Sequence, residues 1–161
     1  MHILIAGVPG TGKSTFARWL VSEHGYTRCP SGEEPGANFL QDIDEGRRES
    51  DKVVIDWGFP LGMLNTVRSL IASGVEHWWF DGDREAALEA FLARTGHPAT
   101  KAAWDVQLAN IEAHWNDLVS TFEGRMLDVI SPGPVHLSNE ERWKRIVSCR
   151  DASSSEDADV S

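Results

Sequence analysis

Cysteine is scarce, with only Cys29 and Cys149 in 161 residues, far apart and outside any Cys-x-x-Cys or Cys/His ligand spacing. That argues against a disulfide framework or a structural zinc site and favours two free thiols in a reducing compartment. Positive charge is short as well: 15 Lys and Arg stand against 25 Asp and Glu, a formal net charge of −10. Nucleic-acid backbone and anionic lipid need an excess of cations on the contacting face, so neither is an expected partner. No uninterrupted run of about 18 apolar residues occurs, so no segment suits a membrane span. Nor does the start carry the basic, apolar and small-residue regions of a signal peptide; His2-Ile3-Leu4-Ile5-Ala6 runs straight into a glycine loop. A cytoplasmic location is expected. His77, His97, His114 and His136 show no metal-ligand spacing.

What is present is ordinary globular composition, 41% hydrophobic and 25% charged, at a length that suits one domain. Short apolar runs alternate with helix-period segments, the pattern of βαβ units. Strands are predicted near 2–6, 26–29, 53–56, 76–80 and 125–130. The expected fold class is α/β: a three-layer sandwich with a five-stranded parallel sheet and helices on both faces. The first helix, about 13–24, sets Phe16, Trp19 and Leu20 at helical spacing and stops at Gly25. Another, about 61–73, carries Leu64, Val67, Leu70 and Ile71 on one stripe and stops at Gly74. Asp83 reads as the N-cap of a helix through Phe91 and Leu92. A long helix near 99–121 aligns Trp104, Leu108, Ile111, Trp115 and Leu118. Ser138 and Glu141 form a capping box that opens the last helix. One domain, 1–150, is expected, followed by an acidic tail, 151–161, whose composition predicts disorder.

Gly7-Val8-Pro9-Gly10-Thr11-Gly12-Lys13-Ser14 fits the Walker A phosphate-loop pattern, lying between an apolar strand and an amphipathic helix. Consecutive backbone amides and the positive end of that helix converge there, as a polyphosphate requires. The motif implies a nucleoside triphosphate bound as its magnesium complex. Lys13 is expected to reach the β- and γ-phosphates, and Ser14 to ligate Mg2+. Thr15 is expected either to touch the α-phosphate or to serve in capping or packing. Magnesium needs further oxygen ligands, often waters held by a carboxylate at the end of a neighbouring strand. Asp56, at the tip of Val53-Val54-Ile55-Asp56, is the candidate, as metal ligand, as acceptor of a substrate proton, or as both.

On these residues the chain resembles the small phosphate-loop kinases of the adenylate kinase and shikimate kinase type. Ile55-Asp56-Trp57-Gly58-Phe59-Pro60 is similar to the Asp-Gly-Phe-Pro-Arg segment of adenylate kinases with Trp57 inserted. Leu61 stands where those enzymes carry the arginine. Trp78-Trp79-Phe80-Asp81-Gly82-Asp83 and the helix ending at Ala93-Arg94 resemble the strand and helix that lead into the superfamily's lid. The resemblance implies a short lid near 94–104 and a cation that closes over the transferring phosphoryl group. Arg94 is its best match, with Lys101 and Arg84 behind it. It also implies that Ser131-Pro132-Gly133-Pro134-Val135-His136 receives the adenine.

The expected activity is transfer of the γ-phosphoryl group of Mg-ATP to an unidentified small-molecule acceptor, with Lys13, Asp56 and Arg94 as catalytic residues. The alternative is a phosphate-loop ATPase or nucleotide-dependent switch acting through a protein partner. In open parallel sheets, ligands gather beyond the carboxyl ends of the strands. There Trp57 and Phe59 either floor an acceptor site or pack the edge of the core, with Arg28, Glu33, Glu34, Arg47 and Arg48 nearby in sequence. The sequence leaves oligomeric state open.

Overall fold

A computed structural model describes residues 1–29, 39–58, 64–95 and 99–156, with side chains at 1–29, 41–58, 64–95 and 99–150. The element order is β1 (His2–Gly7), α1 (Lys13–His24), β2 (Thr27–Arg28), α2 (Phe39–Glu49), β3 (Val53–Trp57), α3 (Leu64–Ala72), β4 (Glu76–Gly82), α4 (Arg84–Leu92), α5 (Lys101–Ala113), α6 (Trp115–Thr121), β5 (Met126–Ser131), β6 (Val135–His136) and α7 (Asn139–Glu156). The strands form one sheet in the order β2-β3-β1-β4-β5-β6.

The first five strands pair in parallel, as expected, but the sheet is not five-stranded: β6 pairs antiparallel with β5, Ile130 opposite His136 and Ser131 opposite Val135. The reason is local. Gly133, at φ 85, turns the chain back within three residues, and a hairpin that tight can only produce an antiparallel neighbour.

Alternation along the strands divides the core into two layers. Leu4, Ala6, Val53, Ile55, Trp57 and Trp79 face the residues of α2 to α6, among them Ile43, Val67, Phe91, Trp104 and Leu118. Ile3, Ile5, Val54, Trp78, Phe80 and Val129 face α1 and α7 through Phe16, Leu20 and Ile146. The three-layer architecture follows from strands that are apolar on both faces.

Helix punctuation follows the local chemistry. Asp83 caps α4 by accepting from the Ala86 amide at 2.8 Å. The capping box is formed, with Ser138 N donating to Glu141 Oε2 at 3.0 Å and Glu141 N donating to Ser138 Oγ at 3.2 Å. The single helix expected over 99–121 is instead two, broken at His114 (φ −114, ψ 17), with Leu118 and Phe122 buried in the core beyond the break. The backbone of α7 is helical through Glu156, into the stretch whose composition predicts disorder; its Ala, Ser and Glu residues cost a helix little. Residues 157–161 lie outside the described residues, as do 96–98 of the expected lid. Among the described residues no helix is long and apolar enough to cross a membrane.

Candidate active site

The sheet presents its carboxyl ends to one side, and β1 delivers the glycine loop there. The loop is anchored at its start by Val8 N, which donates to Phe80 O of β4 at 3.0 Å. It is packed against α4 at Gly10, where an added Cβ would lie 2.0 Å from the Ala87 carbonyl oxygen. Gly7, Gly10 and Gly12 all have positive φ. Gly12 (φ 79, ψ 26) is the residue that opens α1.

Val8, Pro9, Gly10, Thr11 and Lys13 are buried, Gly12 and Ser14 half-buried, and Thr15 exposed. Lys13 is folded onto the loop itself, its Nζ donating to the Val8 carbonyl at 2.8 Å, while Thr11 Oγ1 donates to the same oxygen at 2.7 Å. A cleft of about 440 Å³ opens above the loop, lined by Gly10, Gly12, Ser14, Thr15, Arg18, Arg28, Arg94 and His136 among others. Arg94, 80 residues from Ser14 in sequence, therefore shares a cavity with it. Its guanidinium lies 5.1 Å from the Phe91 ring centre, just beyond the end of α4.

The other two lid candidates are held elsewhere. Arg84 donates to both carboxylate oxygens of Asp81, and Lys101 Nζ is 2.6 Å from Asp105 Oδ1. Trp57, 1% exposed, packs into the core and is no open aromatic floor. Phe59, Glu33 and Glu34 lie outside the described residues. Arg47 ties α2 to α3 by donating to Ser73 Oγ at 2.9 Å.

Asp56 stands beside the loop because β3 pairs directly with β1, Asp56 opposite Ile5. It is 2% exposed, and Arg28 from the end of β2 donates to both its oxygens, Nε to Oδ1 and Nη2 to Oδ2, each at 2.7 Å. The sequence reading noted Arg28 only as a neighbour and did not foresee this pairing.

Three solved structures share this architecture. A gluconokinase from Sinorhizobium meliloti 1021 matches at TM-score 0.54 and 19% identity, covering 87% of this chain and 85% of its own. A sugar kinase from Janibacter sp. HTCC2649 matches at TM-score 0.57 and 17% identity, covering 93% and 94%. Deoxyadenosine kinase from M. mycoides with bound dATP matches at TM-score 0.56 and 13% identity, covering 94% and 100%. The chain has the fold of the small phosphate-loop kinases. No protein-family model and no curated protein matches it.

Several features of this cleft were not anticipated from sequence. Arg18 lines the cleft one helical turn beyond Ser14, a spacing that could have signalled it. His136 lies on the wall shared by the main cleft and a smaller pocket of about 330 Å³, lined also by Gly12, Thr15, Leu137, Ser138, Asn139 and Arg142. Burial and then the Arg142 charge lower the pKa of His136. Arg142 left no sequence signal; only α7 packing against α1 brings it to the loop.

Proposed function

We propose that the protein is a small-molecule kinase, moving the γ-phosphoryl group of Mg-ATP to a diffusible acceptor. The observation that carries this reading is the cleft that joins the glycine loop and Ser14 to Arg94, a cation from a different element. Phosphoryl transfer asks a protein mainly for positioning and for positive charge around the equatorial oxygens. In this reading the loop from Gly7 to Thr15 holds the phosphates, Lys13 leaves the Val8 carbonyl for the β- and γ-phosphates, and Arg94 neutralises the group in flight. The shared folds are those of three kinases, which supports a phosphotransferase over a partner-driven ATPase or switch.

The residues present fit a magnesium ion. Among the described residues no group of three or more His, Cys, Asp or Glu could hold a metal. An ion here would take Ser14 Oγ, phosphate oxygens and water, the usual mixed shell of Mg2+. Asp56, 2% exposed and held on both oxygens by Arg28, would reach a water of that shell only once Arg28 releases it. The ion's chemistry would be to neutralise the negative charge that develops during transfer.

Topology supports a division of the cleft. β1 carries the phosphates, and the pocket beside His136, Ser138 and Asn139 suits the base. The acceptor then belongs over β3 and β2, where Asp56 sits one strand spacing, about 5 Å, from β1 and Arg28 two spacings, about 10 Å. Cys29, buried and outside any disulfide, is in keeping with a cytoplasmic location.

The test is ADP release from Mg-ATP by wild type, Lys13→Ala and Asp56→Asn, with and without fractionated metabolites. A kinase gives turnover that depends on one fraction and falls by about 100-fold or more in Lys13→Ala. Equal turnover without any fraction would replace the kinase by the ATPase.

A further inference from the structure

The strongest unused feature is a charge behind the phosphate loop. Arg142, on α7, is 2% exposed. Its Nη1 donates to the Gly12 carbonyl at 3.2 Å and its Nε to the Leu137 carbonyl at 3.1 Å, while Nη2 lies 3.2 Å from His136 Nδ1. Its guanidinium stacks 5.4 Å from the Phe80 ring centre. Among the described residues its hydrogen bonds go to two carbonyls and an imidazole, and none to a carboxylate. Burial pulls its pKa down to about 10, so it remains charged at neutral pH.

A buried guanidinium without a counter-ion is costly, and an apolar side chain of similar volume is commonly tolerated better. Its position points to what it does. The Gly12 carbonyl also accepts the first helical bond of α1, from Phe16 N at 3.0 Å. Fixing that peptide fixes the orientation of the amides that follow it, the donors a phosphate meets. The same guanidinium adds positive potential beneath the loop of a chain whose formal net charge is −10.

We infer that Arg142 is a positioning residue of the phosphate loop, holding the Gly12 carbonyl in place and supplying a buried positive charge to the site that takes the nucleotide's phosphates. The inference rests on the nucleotide-binding part of the kinase reading and needs no acceptor.

The experiment is calorimetric titration of full-length wild type and Arg142→Met with two ligands, Mg-ATP and inorganic tripolyphosphate, alongside thermal unfolding. Methionine keeps an unbranched apolar stem but removes the charge, the donors and the guanidinium that stacks on Phe80. The expected result is a loss of about tenfold in affinity for both ligands, by the same factor, with an unfolding midpoint unchanged or raised. Unchanged affinity in the folded variant would overturn the inference. So would a loss confined to ATP, which would make Arg142 only a wall of the base pocket. Should Arg142→Met fail to fold, Arg142→Lys is read with the same ligands: a parallel loss of about threefold or more supports the role, and wild-type affinity overturns it. If wild type binds both ligands but no metabolite fraction stimulates turnover, the kinase reading fails while this inference stands.

Discussion

Removing Arg28 should expose how far Asp56 depends on it. In Arg28→Ala a carboxylate that is 2% exposed loses the guanidinium that donates to both its oxygens at 2.7 Å. Breaking a fully buried pair from one side costs about 3–5 kcal/mol, because the remaining charge is desolvated without compensation. The Arg28 side chain is 30% exposed, so water can enter the vacated space, and we expect about 2–3 kcal/mol at pH 7. For a chain of this length that corresponds to a fall in Tm of roughly 5–10 °C. Asp56→Asn leaves the more exposed partner behind and should cost only about 1 kcal/mol. The double variant should cost less than the two losses added together. Urea unfolding at pH 7 reads all of this. A variant within about 0.5 kcal/mol of wild type at pH 7 would refute the reasoning, since surface pairs show losses of that size.

Two further outcomes are expected. Gly10→Ala places a side chain at φ 80 and a Cβ 2.0 Å from the Ala87 carbonyl oxygen, so the loop or α4 must move. It should destabilise by at least about 2 kcal/mol and weaken ATP binding, measured by urea unfolding and titration; wild-type values would show that the loop does not pack on α4. Stability should also fall as pH drops below 6.5. His2, His77 and His136 all have pKa values lowered from 6.5, chiefly by burial, so the unfolded chain takes up protons first. Urea midpoints between pH 7.5 and about 5.5 check this, and His136→Gln should flatten part of the slope.

Legibility varied with the range of the interaction. The loop, its flanking strand and α1 were readable because they are built from consecutive residues, with glycine at 7, 10 and 12 where φ is positive. The Asp83 cap and the Ser138–Glu141 box were readable for the same reason, each closing within three residues. The division of the helix at His114 was not, since Leu108, Ile111, Trp115 and Leu118 keep one helical stripe across the break. The sixth strand was hidden because Val135-His136 is too short to carry a period, and its pairing depends on the turn at Gly133.

The sequence alone determined that a strand, a glycine-rich loop and a helix meet at Lys13 and Ser14, and that Asp56 lies near the end of a buried strand beside them. Local hydrogen bonding and side-chain alternation encode those features within a few residues. Only the tertiary structure decided that Arg94 shares the cleft with Ser14, that Arg28 holds Asp56, and that Arg142 grips Gly12 from 130 residues away. Each of those contacts joins elements brought together by sheet order and by helices packing on its two faces, and such pairings are set by burial of the whole core rather than by the chemistry of neighbouring residues.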